Sequence, residues 1–141
     1  MGFESADAAE TAYYQALMQG DQEALMSVWL MDDAIECIHP FGPRITGYKE
    51  IYTSWQDILQ QSRGMSVSLQ HSQRIQEGDL AVHMLLEIMS WEHEDGEENA
   101  EINTTNVFRH TADGWFMIAH HASPAPSQEL LAEQHSAVEL H

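Results

Sequence analysis

The period of the apolar residues changes once along this chain, near Gly64, and that change sets the fold class. Before it, apolar residues recur at helical spacing in three stripes. The first holds Ala9, Ala12, Tyr13, Ala16 and Leu17. The second holds Ala24, Leu25, Val28 and Trp29, and the third Ile51, Tyr52, Trp55, Ile58 and Leu59. Gly20 ends the first helix and Asp21 can cap the second, while Thr46 or Gly47 opens the third and Arg63-Gly64 closes it. After Gly64 the period is two: Met65, Val67 and Leu69 alternate with Ser66, Ser68 and Gln70. Gly78-Asp79, Asp95-Gly96 and Asp113-Gly114 then read as turns between strands over 80–91, 100–110 and 115–123. One further short strand, 34–39, falls between the second and third helices and is stopped by Pro40, Gly42 and Pro43. Three N-terminal helices and an antiparallel meander predict an α+β fold, with the helices packed on one face of a curved antiparallel sheet.

Charge narrows the partners. Among 141 residues, 5 are basic and 23 acidic, a formal net charge of −18. Such a field repels phosphate backbones and anionic headgroups, and no basic stripe offsets it, so nucleic acid is excluded as a partner. The acidic residues gather between Glu92 and Glu101 and in the C-terminal segment, where they read as solvated surface. No apolar run is long enough to span a bilayer. The N-terminal segment MGFESADAAE lacks the basic and apolar regions of a secretory signal, which gives the expectation of a cytoplasmic protein. Cys37 is the single cysteine, so neither an internal disulfide nor a thiolate zinc site is available. Nine histidines are scattered without a recognisable ligand spacing, and His39, His121 and Glu87 make the one combination worth naming. We expect no metal and no cofactor.

Two segments carry a family resemblance: AIECIHPFGPRITGYKEIYTSW, and the last strand, GWFMIAHHAS. In this order, after two helices, they resemble an NTF2-like domain of the SnoaL type, a superfamily with a cystatin-like cone that also holds ketosteroid isomerase. The resemblance implies one domain over residues 1–126, a pocket between helices and sheet, and a tail over 127–141. The end of the first helix, YQALMQGD, with the tyrosine before it, is similar to the YxxxLxxGD of ketosteroid isomerase. That likeness puts Tyr13 at the oxyanion-binding tyrosine. His39 before Pro40 matches the carboxylate base, and Asn106, three residues before Arg109, matches the second oxyanion donor. His121 falls at a pocket-lining position.

That trio is chemically coherent. Imidazole titrates near neutral pH, so His39 can serve as a base for a proton next to a carbonyl. Tyr13 and Asn106 can donate to the oxygen that gains charge, although an amide is a weaker donor than a neutral carboxylic acid. Trp29, Trp55, Phe108, His121 and Ser123 are the candidates for ligand contact. Each residue also has a plainer role. Tyr13, Trp29 and Trp55 lie on core stripes, His39 can bond its turn, Asn106 can satisfy a strand, and Cys37 is a small buried hydrophobe. Strict alternation along the last strand puts Trp115, Met117, Ala119, His121 and Ser123 on one face and Phe116, Ile118 and His120 on the other. It also puts Ile35, Cys37 and His39 on one face of the short strand. Phe116, Ile118, Met89 and Trp91 are then expected on the outer face, as the apolar surface of a homodimer. Two functions follow: an isomerase- or lyase-like enzyme acting on a small apolar carbonyl compound, or a non-catalytic ligand-binding or assembly module.

Overall fold

The computed structural model describes residues 2–61, 65–93 and 96–126. The expected helix end at Arg63-Gly64, the start of the Asp95-Gly96 turn and the tail over 127–141 lie outside the described residues. Helix α1 spans Ala6–Gln19 and α2 Gln22–Ser27. Strands β1 (Glu36–Ile38) and β2 (Arg44–Thr46) come next, then helix α3 (Tyr48–Gln61). Four long strands complete the described residues: β3 Ser66–Glu77, β4 Leu80–His93, β5 Gly96–Thr111 and β6 Gly114–Pro124.

Local chemistry explains the helix ends. Ser5 accepts from the Ala8 N–H at 3.0 Å to cap α1, and Asp21 accepts from the Ala24 N–H at 3.0 Å to cap α2. Between them Gly20 sits in the left-handed region at φ 67°, where a side chain would be strained, and its N–H returns to the last turn. The chain therefore reverses between α1 and α2 without a loop.

The six strands form one sheet in the order β2-β1-β6-β5-β4-β3. Two details depart from expectation. Residues 44–46 pair antiparallel with β1, so the Pro/Gly turn is the bend of a small hairpin. In addition, β1 runs parallel to β6, so the sheet is mixed. The two segments meet side by side because 28–30 and then β1 extend along β6 in turn: the Met117 N–H donates to Val28 O, and the Leu30 N–H donates to Met117 O. The helices lie over one face, α1 reaching β3, β5 and β6, and the core between the layers includes Leu25, Trp29, Ile51, Phe108 and Met117.

At the point where β6 changes partners it carries a bulge. Phe108 pairs with Met117 and Val107 with Ala119, which leaves Ile118 as an extra residue. An inserted residue reverses every side chain beyond it. Trp115 and Met117 point inward, as expected, but after the bulge His120 and Ala122 point inward while His121 and Ser123 are exposed on the outer face. The expected faces of His120 and His121 are therefore exchanged. On β4 the alternation holds through Glu87, and Met89 and Trp91 continue along the inner face; the expectation of both on the outer face is corrected.

Candidate active site

The helix–sheet interface encloses a cavity of about 350 Å³. Tyr13 and Leu17 reach it from α1, Trp55 and Ile58 from α3, and Met89, Trp91, Ile102 and Ala122 from the sheet. His39, Pro40 and Phe41 come from the loop after β1. Phe41 is 93% exposed and holds φ 64°, an uncommon conformation for a residue with a side chain. Polar groups on the wall are few: His39, His120, Glu87, Glu98 and the Tyr13 hydroxyl.

Four aromatic rings gather at one end. Tyr13 lies 5.9 Å from Trp55 and 5.4 Å from His120, and His39 meets Trp55 edge-on at 4.6 Å. Burial depresses both imidazoles, His39 from 6.5 to about 4 and His120, with His39 and His121 nearby, from 6.5 to about 3. Both rings are neutral at pH 7. The Ser54 hydroxyl donates to Ile51 O at 2.8 Å, so at 3.0 Å it accepts from His39 Nε2–H and leaves Nδ1 with the lone pair. Cys37 Sγ lies 3.9 Å from that nitrogen, and burial pushes its thiol up to about 12, so the sulfur is a neutral neighbour.

Behind His120 runs a chain of buried hydrogen bonds. His120 Nδ1 is 2.5 Å from Asn106 Oδ1, and Asn106 Nδ2 donates to the Tyr14 hydroxyl at 3.0 Å. Tyr14 donates to Glu87 Oε2 at 2.5 Å. Burial pushes the Glu87 carboxyl up from 4.5 to about 6, and desolvation raises the phenols of Tyr13 and Tyr14 well above 10. At the other end His120 Nε2 faces the Tyr13 hydroxyl at 3.5 Å.

The cavity thus brings Tyr13, His39 and Trp55 together, as the sequence predicts. Asn106 is fully buried behind His120 with both ends of its amide engaged, so it does not face the cavity as an oxyanion donor. Trp29 and Phe108 are buried in the core and lie outside the cavity wall. His121 and Ser123 line instead an open groove of about 580 Å³ on the outer face, with Met84, Leu86, Asn103 and Thr105. Their place is taken by His120 and Ala122. His120 was readable as a histidine on this strand, but its inward direction depends on the bulge. Among the described residues no group of three or more metal-ligating side chains converges, and no helix is long and apolar enough to cross a membrane.

The SnoaL-like domain family matches residues 7–127 of this chain. The chain belongs to that family. Among solved structures, this SnoaL-like domain is similar to a candidate dehydratase of the NTF2-like family from Streptomyces avermitilis, with 30% identity and a TM-score of 0.79 over 84% of this chain and 92% of the other. A candidate calcium/calmodulin-dependent protein kinase II association domain from Thiobacillus denitrificans is 31% identical, with a TM-score of 0.79 over 89% and 99%. An uncharacterised protein from Caulobacter vibrioides shares the cystatin-like fold at 15% identity and a TM-score of 0.75, covering 94% of each chain. The F-box protein SKIP8 of Arabidopsis thaliana is 27% identical over 116 residues, which are 80% of this chain. The chain spans about half the length of that curated relative (46%).

Proposed function

We propose that this SnoaL-like domain binds a small, mainly apolar carbonyl compound in the inner cavity and moves a proton on it, as an isomerase- or lyase-like enzyme. One observation carries the reading: two neutral imidazoles, each with an unprotonated ring nitrogen by its hydrogen-bond pattern, stand with a phenol at the end of an apolar cavity. A neutral imidazole can accept an α-proton, and the Tyr13 hydroxyl, whose contact to His120 is long, can turn to the oxygen that becomes an enolate. Burial makes both rings weak bases, because the cation would be desolvated. An enolate formed beside them supplies the missing counter-charge and raises their basicity as the reaction proceeds. Of the two, His120 is the better placed base, since its orientation is held by Asn106; His39 serves as the second proton carrier. The likeness to the candidate dehydratase from Streptomyces avermitilis accords with such chemistry.

The test uses 1-tetralone, a neutral aryl ketone with enolisable protons, in deuterated buffer. Exchange above the buffer background is expected, falling by roughly 10²-fold or more in His120→Gln and less in His39→Gln. Exchange at background in a protein that binds the ketone would reject the enzymatic role.

The outer face supports a second role, assembly of two copies. Val82, Met84, Leu86 and Ile88 are only half-buried there, beside the groove with His121 and Ser123. The likeness to an association domain agrees with this reading. Sedimentation equilibrium at micromolar concentration checks it, and a monomer would count against it.

A further inference from the structure

Glu87 lies three hydrogen bonds from the ring of His120, and the number of protons available along that path constrains them all. An ionised carboxylate can only accept, so the single hydroxyl proton of Tyr14 must point at Glu87. The Tyr14 oxygen then has only its lone pairs to offer Asn106, and it must receive an amide N–H at 3.0 Å. That orients the amide, with Oδ1 toward His120. A carbonyl oxygen accepts only, so the proton of the neutral imidazole must sit on Nδ1, where the contact is 2.5 Å. Nε2 is left as a lone pair facing Tyr13.

We infer that Glu87 is a positioning residue: acting through Tyr14 and Asn106, its carboxylate selects the Nδ1–H tautomer of His120 and so presents Nε2 as the proton acceptor. The chain is well shielded, since Tyr14, Glu87, Asn106 and His120 are all buried. Water cannot easily supply the alternative partners that would let the amide turn over. Take away the demand for Tyr14's proton, and both amide orientations become available. The isolated imidazole prefers its proton on Nε2, so the second tautomer then gains population. With Nε2 protonated, the ring would offer a donor where the proposed reaction needs a base.

The inference rests on reading His120 as a proton-transferring group, but its test needs neither ligand nor turnover, so the two can fail separately. Protein labelled with ¹⁵N-histidine is examined at pH 8 by long-range ¹H–¹⁵N NMR, with His120→Gln to assign the ring signals. Wild type is expected to show His120 with a protonated Nδ1 and a bare Nε2. Tyr14→Phe removes the link and is expected to bring in the Nε2–H tautomer; Glu87→Gln, which can bond Tyr14 in either sense, is expected to give a mixture. A bare Nδ1 in wild type overturns the proposal, whether or not either variant folds. So does a folded Tyr14→Phe or Glu87→Gln protein in which the Nδ1–H tautomer stays as complete as in wild type.

Discussion

Glu10 and Glu87 are buried to the same depth, each 3% exposed, yet the protein treats them differently. Both bridge α1 and β4, and the partners repeat at four-residue spacing on each element. Glu10 on the helix meets His83 on the strand, and one turn further on Tyr14 meets Glu87 with the carboxylate on the other side. Glu10 has a cation beside it: Arg74 Nη2 donates to it at 2.5 Å, and His83 Nδ1 lies at 2.6 Å. Glu87 has a phenol in place of a cation, and burial pushes its carboxyl up. A buried carboxylate with a counter-charge is a structural tie. One held only by a neutral donor is strained toward the proton and can influence whatever shares its hydrogen bonds.

The largest expected effect comes from removing the tie. Glu10→Ala strands a buried His83 and takes a partner from Arg74, and it should lower the unfolding free energy by about 3 kcal/mol in chemical denaturation. A loss below about 1 kcal/mol would erase the contrast between the two carboxylates. Tyr14→Phe should cost about 2 kcal/mol, because the buried Asn106 amide loses its acceptor as Glu87 loses its donor.

Acid exposes the second region. The native pKa values of His39 and His120 are depressed from 6.5 to about 4 and about 3, so their contribution is whole above pH 6.5 and is lost as pH falls toward those values. Glu87 acts in the opposite sense. Its native pKa is raised from 4.5 to about 6, so its contribution is whole below 4.5 and is lost as pH rises through 6. Stability should therefore drop between pH 6.5 and 4, by about 1.4 kcal/mol per pH unit for each net proton taken up on unfolding. His120→Gln should flatten that slope in parallel denaturation curves. The smallest effect sharpens the comparison most. Glu87→Gln should leave stability at pH 8 unchanged or raised by about 1 kcal/mol, the reverse of Glu10→Ala, with the benefit gone below pH 4.5.

Much of the frame was legible from local pattern. The stripes of Ala9 to Leu17 and Ile51 to Leu59 lie in α1 and α3, and the Gly78-Asp79 and Asp113-Gly114 turns join paired strands. The short strand β2 was not legible, because Arg44 to Thr46 follow a Pro/Gly turn and pair only along β1. Neither was the parallel pairing of β1 with β6, which joins residues more than eighty positions apart. Within the site, Tyr13 and Trp55 could be placed because each lies on a helix whose own spacing determines its inward stripe, and His39 because it directly follows β1 at the Pro/Gly turn.

What the sequence by itself determined is the part governed by neighbours along the chain: where most helices start and stop, where strands turn, the family, and a strongly negative net charge. The tertiary structure decided which histidine faces inside. Ile118 is an ordinary strand residue by its own chemistry, and it becomes a bulge only where β6 passes from residues 28–30 to β1. That one extra residue carries His120 into the cavity and His121 out to the groove. Only the fold then places Tyr14 of α1 between Glu87 and Asn106 of the paired strands β4 and β5, far along the chain from it. A strand's period is exactly two only while its ladder is unbroken, and whether the ladder breaks depends on the neighbouring strand.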